Sequence, residues 1–192
     1  MRPRSKRTKS RNQRRKLDSR QKWGDNIKRN LLTLLVRRPR DIVSPSEATN
    51  QATRTEWREL GFFYELKVNP PSWRIVGSMQ GLANFLRLLD LYAQDPRNQT
   101  LSEHVHYGPY MYLKVETAES PKIDNRSIRG PIRDLVRLRD LVAVQLQQAQ
   151  SGDSFVVGHE YSALVTHPLH FEVREDAFDP ASADPRLSAS DA

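Results

Sequence analysis

The chain has no cysteine among its 192 residues. This absence excludes a disulfide framework, thiolate zinc sites and cysteine nucleophiles, and it is typical of proteins in the reducing cytoplasm. Long apolar runs are lacking too. The longest one near the N-terminus, Leu31 to Val36, is far shorter than the roughly 20 residues that span a bilayer. We therefore predict a cytoplasmic protein with no membrane partner.

Catalytic motifs are also missing from the sequence. It has no phosphate-binding glycine loop, no Gly-x-Ser-x-Gly elbow and no His-Glu-x-x-His pair. The carboxylates of Glu172, Glu175 and Asp176 are candidates for acid and base. Charged residues at the end of a strand, however, usually face solvent. We therefore predict that the protein is not an enzyme and has no catalytic residues, no cofactor and no metal.

Positive and negative charges are segregated along the chain. Residues 1–40 hold 16 of the 31 Lys and Arg residues and only two of the 23 acidic ones, which gives a net charge of +14. Residues 41–192 hold the other 15 basic and 21 acidic residues, which gives −6. Such asymmetry is typical of a charged arm attached to a domain with a separate partner.

The basic arm has two interpretations, which the sequence leaves open. Its cations can neutralise phosphates and bind nucleic acid without sequence preference. Alternatively, the arm is a leader with no binding role, and its Arg and Ser content also resembles an organellar transit peptide. The nucleic-acid alternative involves these cations: Arg4, Lys6, Arg7, Lys9, Arg11, Arg14, Arg15 and Lys16.

Apolar residues are scarce at the start of the chain, so residues 1–52 are predicted to be a largely disordered arm. One short amphipathic helix is expected within it at 23–36, where Trp23, Ile27 and Leu31 recur at helical spacing. The polar run from Asn50 to Thr55 is interpreted as a linker. Residues 53–185 are predicted to form the folded domain, and residues 186–192 a flexible tail.

Alternating and helical apolar patterns fill the predicted domain. Ser78 is a good N-cap for a first helix that should end before Pro96, and Pro131 should begin a second helix that ends at Ser151-Gly152. The predicted strands are Phe62 to Val68, Trp73 to Val76, Tyr110 to Thr117, Ser154 to Val157 and Leu169 to Arg174. We therefore predict an α+β fold, with a mostly antiparallel sheet and two amphipathic helices packed on one face.

The chain contains a weak internal repeat. Gly77, Leu82 and Leu88 recur 53 residues later as Gly130, Leu135 and Leu141. Two explanations stay open, a duplicated unit and a chance similarity between two amphipathic helices.

The segment from Ser102 to Leu113 is the most distinctive part of the chain. If it were extended throughout, His104, His106, Tyr110 and Tyr112 would lie on one face of the sheet, with Met111 and Leu113 in the core. Tyrosine gives a large contact area and is enriched at protein interfaces. The favoured interpretation is therefore a partner-binding surface that comprises His104, His106, Tyr107, Tyr110 and Tyr112.

The same segment has two other interpretations. The first is a strand that faces solvent and binds no partner. A metal site would use His104 and His106, since imidazoles two residues apart can share an ion, with a third ligand from Glu103, His159 or His170.

Four stretches of the chain resemble a group of small bacterial proteins that are similar to immunity proteins of polymorphic toxin systems. They are Trp73 to Ser78, Gly81-Leu82, Ser102 to Leu113 and Phe178-Asp179-Pro180, so the resemblance covers roughly residues 56–185. It implies an α+β protein without catalytic residues that binds and blocks a cognate toxin.

Overall fold

The computed structural model describes residues 45–188, and the predicted arm helix at 23–36 therefore lies outside the described part. The helices are α1 Glu47–Leu60, α2 Met79–Gln94, α3 Ile132–Gln148 and α4 Pro185–Ser188. The strands are β1 Phe62–Val68, β2 Pro71–Ser78, β3 His104–Tyr107, β4 Leu113–Thr117, β5 Lys122–Ile123, β6 Ile128–Gly130, β7 Ser154–Val157 and β8 Leu169–Arg174.

Several of these elements begin and end where the sequence pattern predicts. The Ser78 side chain accepts a hydrogen bond from Gly81 N at 3.1 Å and so caps α2. Pro131 stands directly before α3. Strands β1, β7 and β8 have the predicted bounds, because turn residues flank these short runs of apolar residues, which alternate with polar ones in β8.

Two mostly antiparallel four-stranded sheets take the place of the single predicted sheet. The first has the strand order β1-β2-β8-β7 and the second β3-β4-β6-β5. In each sheet the outer pairs are antiparallel and the inner pair is parallel. The α+β class is confirmed. The single sheet is wrong, because β5 and β6 have only two and three residues, too few for a recognisable alternation.

The two sheets arise from a topology that occurs twice along the chain. The first half is β1-β2-α2-β3-β4 and the second half is β5-β6-α3-β7-β8. Each half contributes one hairpin to each sheet, and the inner strands of the halves pair in parallel. Gly77 and Gly130, the glycines of the internal repeat, lie at equivalent places, near the ends of β2 and β6.

Helices α2 and α3 pack against each other through their apolar stripes. Arg139 of α3 and Asp90 of α2 form an ion pair across this contact at 2.5 Å. Helix α2 lies on β1, β2 and β8 of the first sheet, while α3 contacts β6 of the second sheet and β7 of the first. The expectation that both helices cover one face of one sheet is therefore wrong, since the hairpins that follow each helix belong to different sheets.

Helix α1 contains the polar stretch that was interpreted as a linker. Ser46 caps it, and most of its polar residues face solvent, while Asn50 and Trp57 are buried at 5 % and 1 % exposure. At the other end, Leu187 is 4 % exposed and packs in the core. The described elements thus extend beyond both predicted domain limits, 53 and 185. Within residues 45–188, no helix is both long enough and apolar enough to cross a membrane.

Candidate functional site

The segment between His104 and Leu113 is a hairpin with a tight loop and not one extended strand. Strand β3 ends at Tyr107, residues 109–111 form a short turn, and β4 begins at Leu113. Tyr110 and Met111 adopt positive φ angles of 66° and 58°. This turn rotates Met111 out of the core, where the alternation had placed it, and leaves it 59 % exposed. Leu113 is buried as predicted.

The hydroxyl of Tyr64, on β1, fixes this loop in place. Its oxygen lies 2.7 Å from the carbonyl oxygen of Tyr107 and 3.1 Å from that of Pro109, and it accepts a hydrogen bond from Leu113 N at 3.2 Å. Gly108 has a φ of 70°, and a Cβ there would lie 2.8 Å from Leu60 Cδ2. The loop therefore needs both the tyrosine hydroxyl and a glycine at position 108.

A cleft of about 630 Å³ opens between the loop, the first sheet, the β5–β6 turn and the C-terminal segment. A volume of this size lies within the range of roughly 300 to 1,000 Å³ that binding pockets have. Six aromatic side chains line it: Trp57, Phe63, Tyr64, Trp73, Tyr110 and Tyr112. Trp73 donates from Nε1 to the carbonyl oxygen of Asp124 at 2.8 Å, which ties the β5–β6 turn to β2.

The carboxylate of Asp184 lies at the floor of the cleft and is 2 % exposed. Its Oδ2 accepts hydrogen bonds from Trp57 Nε1 and from the Tyr110 hydroxyl, both at 2.8 Å. Burial, together with this bond to Asp184, raises the pKa of Tyr110 to about 12. Tyr110 is therefore a hydrogen-bond donor at neutral pH, and its ring is held against the floor.

Arg186 covers the tyrosines at the rim of the cleft. Its guanidinium carbon lies 4.5 Å from the centre of the Tyr110 ring and 5.8 Å from that of Tyr112, in cation–π geometry. Tyr112 is nevertheless 56 % exposed. Arg126, in the β5–β6 turn, is an exposed residue of the same cleft. The rim therefore combines two guanidinium groups with exposed aromatic surface.

The predicted partner-binding residues are divided between the cleft and the strand beside it. His106, Tyr110 and Tyr112 line the cleft. Tyr107 packs against the core, and burial raises its pKa to about 12. His104 is exposed on β3, with its ring centre 5.2 Å from that of His106. The structure thus brings three of the five residues together, and the contact of each with a partner stays a prediction.

The two histidines do not gather a third metal ligand in the described part of the chain. Their Nδ1 atoms lie 3.0 Å from the carbonyl oxygen of Ser102 and 2.6 Å from that of Met111. Among residues 45–188, no three or more His, Asp or Glu side chains are grouped so as to hold a metal ion. None of Glu103, His159 and His170 therefore completes the metal site that the sequence suggested.

The acidic residues near the end of β8 include one that is held in an ion-pair network. Arg74 Nε donates to Glu172 Oε1 at 2.6 Å, and Arg74 Nη1 donates to Glu65 Oε1 at 3.0 Å. The Arg74 bond lowers the pKa of Glu172, which stays ionised. Glu175 and Asp176 are exposed. Glu172 therefore has a structural role, as the ion-pair partner of Arg74 on the sheet.

Comparison of the chain with known protein families, with curated proteins and with solved structures found no match in any of the three.

Sequence reasoning missed the residues that reach the cleft from other segments, among them Trp57, Arg126, Asp184 and Arg186. Trp57 follows the stretch interpreted as a linker, and Arg186 falls in the predicted tail. A tryptophan in a polar segment and an Asp-Pro-Arg sequence were the available signals, but neither indicates a position in space. The cations of the nucleic-acid alternative, from Arg4 to Lys16, lie outside the described residues.

Proposed function

We propose that this protein is a non-enzymatic binding module, an immunity-like protein that binds a cognate toxin domain in a stoichiometric complex. The supporting observation is the rim of the cleft, where Met111 and Tyr112 are 59 % and 56 % exposed beside Arg186. Tyr, Met and Arg are the side chains enriched at protein–protein interfaces, whereas an ordinary surface favours Lys and Glu.

The conformation of the loop supports the same proposal. Two consecutive residues that are not glycine, Tyr110 and Met111, have positive φ angles, which cost roughly 1 to 3 kcal/mol each. Such strain persists only where the surroundings enforce it, and here the Tyr64 hydroxyl and the Tyr110–Asp184 bond do so. A rigid aromatic loop loses little entropy when a partner binds.

The charge of the described residues also suits a toxin partner. Residues 45–188 contain 19 acidic and 15 basic residues. A net negative surface accelerates association with a basic protein through long-range attraction. Many toxins that act on nucleic acid need a basic surface, because their substrates are polyanions.

Affinity capture in the native host, followed by a titration, tests the proposal. The full-length protein serves as bait, and the retained protein is purified and titrated by calorimetry. The variant Met111→Asn/Tyr112→Ser removes the exposed apolar surface, and asparagine tolerates the positive φ at position 111. The control Val144→Ser/Val156→Ser removes apolar side chains of similar exposure, 52 % and 51 %, elsewhere on the molecule.

We expect a complex of one partner per chain that the cleft variant weakens at least about tenfold, as is usual for aromatic residues central to an interface. The control pair should change the affinity less than about twofold. Retention of no protein at physiological salt, or equal affinities for both variants, would contradict the proposal.

The nucleic-acid alternative rests on the 16 Lys and Arg residues between residues 1 and 40. If these residues neutralise phosphates, the affinity of the full chain for duplex DNA should fall steeply with salt, and deletion of residues 1–40 should abolish binding. Equal affinities of the truncated and full-length chains for DNA would rule this function out.

A further inference from the structure

Nearly all cations of the described residues are paired with carboxylates. Of the 15 Lys and Arg residues between 45 and 188, twelve form ion pairs. The three that form no ion pair in this part of the chain are Arg87, Arg126 and Arg186, and Arg186 bonds to Tyr112 and is attracted by the Asp184 carboxylate. Two of these three line the aromatic cleft, and Arg87 is exposed on α2.

The carboxylates of the cleft, by contrast, are already engaged. Glu65 pairs with Lys67 at 2.7 Å and with Arg74 at 3.0 Å. Asp184 is buried and accepts hydrogen bonds from Trp57 and Tyr110. The cleft therefore has two guanidinium groups at its exposed rim, whereas its carboxylates are paired or buried.

We propose, building on the protein-binding function, that the cleft receives a carboxylate side chain of the partner protein, with Arg126 and Arg186 as its donors. The aromatic walls then contact an apolar residue beside that Asp or Glu. Guanidinium groups donate to a carboxylate through two parallel bonds, and such charge-assisted bonds are stronger than neutral ones. Arg186, which already stacks on Tyr110 and Tyr112, is prepositioned for this contact.

The surroundings of the cleft favour a protein carboxylate over a nucleic acid. A polyanion needs a continuous track of free cations along its phosphates. Among residues 45–188, the guanidinium groups outside ion pairs are confined to the cleft and to Arg87, and acidic side chains outnumber basic ones. A single acidic side chain of a partner needs only two donors, Arg126 and Arg186, and no such track of cations.

Nuclear magnetic resonance of methionine methyl groups in the full-length protein tests this inference at the site itself. The chain has three methionines, Met1, Met79 and Met111, of which Met111 lies in the cleft and Met79 begins α2. The probes are the acetylated, amidated peptides Leu-Glu-Glu-Leu and Leu-Gln-Gln-Leu and an eight-residue oligothymidylate. The variants are R126Q/R186Q and the matched control Arg87→Gln.

The glutamate peptide should shift the Met111 methyl signal and leave that of Met79 in place. Its affinity should exceed that of the glutamine peptide at least about tenfold, and R126Q/R186Q should remove this difference, since paired charges at an interface contribute strongly. Arg87→Gln should change the affinity less than twofold or so.

Three results would overturn the inference. They are equal shifts with both peptides, no Met111 shift at about 5 mM glutamate peptide, and a Met111 shift with oligothymidylate that R126Q/R186Q abolishes. Calorimetry with the captured partner separates this inference from the proposed function. If Met111→Asn/Tyr112→Ser weakens the complex and R126Q/R186Q does not, the carboxylate contact is wrong and the protein-binding function stands. If neither variant weakens it, the proposed function fails.

Discussion

The two halves of the molecule share one topology, but the loop of their second hairpin packs differently in each half. In the second half, the β7–β8 loop packs down on the β5–β6 hairpin. Thr166 N donates to Ile123 O at 2.9 Å, and the Ser162 hydroxyl donates to Pro121 O at 2.7 Å. In the first half, the β3–β4 loop reaches β1 through the Tyr64 hydroxyl, and Tyr112 remains exposed beside an open cleft.

A tyrosine accounts for the closed loop of the second half. Tyr161 is 1 % exposed, and its hydroxyl donates to Arg129 O at 2.9 Å. Gly130 permits this approach, since a Cβ there would lie 2.7 Å from the Tyr161 hydroxyl. In the equivalent loop of the first half, Tyr110 and Met111 have positive φ angles, the Tyr110 hydroxyl donates to Asp184, and Tyr112 is left 56 % exposed. The tyrosine of one loop is thus buried in the fold, whereas Tyr112 of the other loop stays exposed.

Replacement of one loop tyrosine from each half should give the largest contrast. Tyr161→Ala deletes a fully buried ring and should lower the free energy of unfolding by about 3 to 5 kcal/mol. Tyr112→Ala deletes a mostly exposed ring and should cost less than about 0.5 kcal/mol. Urea denaturation measures both values, and similar losses would remove the distinction between a closed and an open half.

The two loop glycines with positive φ sharpen the comparison. Gly108→Ala places a Cβ 2.8 Å from Leu60 Cδ2, in addition to the backbone strain, and should cost about 2 to 3 kcal/mol. Gly152, which precedes β7, also has a positive φ, but nothing lies within 4 Å of its Cβ position. Gly152→Ala should cost about 1 kcal/mol. Equal losses on thermal unfolding would mean that the β3–β4 loop is not closely packed against Leu60.

Removal of single hydroxyl groups tests how each loop is anchored. The Tyr64 hydroxyl is hydrogen-bonded to backbone groups of Tyr107, Pro109 and Leu113, whereas the Tyr161 hydroxyl is bonded to the backbone of Arg129 alone. Tyr64→Phe should therefore destabilise by about 1 to 2 kcal/mol and Tyr161→Phe by about 1 kcal/mol. Hydrogen exchange should accelerate at Leu113 N in the first variant only, and unchanged protection there would contradict the assigned role of Tyr64.

The smallest expected effect is a difference in alkaline stability. Burial raises the pKa of Tyr161, and burial with the Asp184 bond raises that of Tyr110 to about 12, above the ordinary value of about 10. Because the folded chain holds these protons more tightly, the stabilisation is complete below pH 10 or so and is lost as the pH rises above it.

Between about pH 10 and 11, the free energy of unfolding of Tyr161→Phe should fall by up to about 1 kcal/mol less than that of the unmodified chain. For Tyr110→Phe the difference should be smaller, since solvent screens its partly exposed ring. Guanidinium titrations at several pH values measure the slopes. A steeper loss in Tyr161→Phe than in the unmodified chain would contradict the sign of the shift.

The sequence predicted the local elements of this fold better than their arrangement. Ser78, Pro131 and the alternation in β8 act on neighbouring residues, so the bounds of α2, α3 and β8 follow from them. The short strands β5 and β6 pair with each other, and β6 also pairs with β4, but two or three residues are too few for a local pattern to mark them. This is why one sheet was predicted where two occur.

The candidate site was predicted in part for a related reason. The aromatic segment from His106 to Tyr112 is conspicuous in the sequence, and its residues His106, Tyr110 and Tyr112 line the cleft. Its loop conformation depends on Tyr64, more than 40 residues earlier in the chain, so alternation placed Met111 on the wrong side. Asp184 and Arg186 lie in the cleft beside Leu187, which packs in the core, and composition alone does not indicate this position.

Site-specific photocrosslinking in the native host tests most directly whether the open half binds the partner. A benzoyl-phenylalanine replaces Tyr112 in one full-length variant and Leu164, in the β7–β8 loop, in another, since the two side chains are 56 % and 54 % exposed. Our account predicts a covalent adduct with another protein from position 112 and none from position 164. An adduct from position 164 alone, or adducts from position 112 to nucleic acid only, would contradict it.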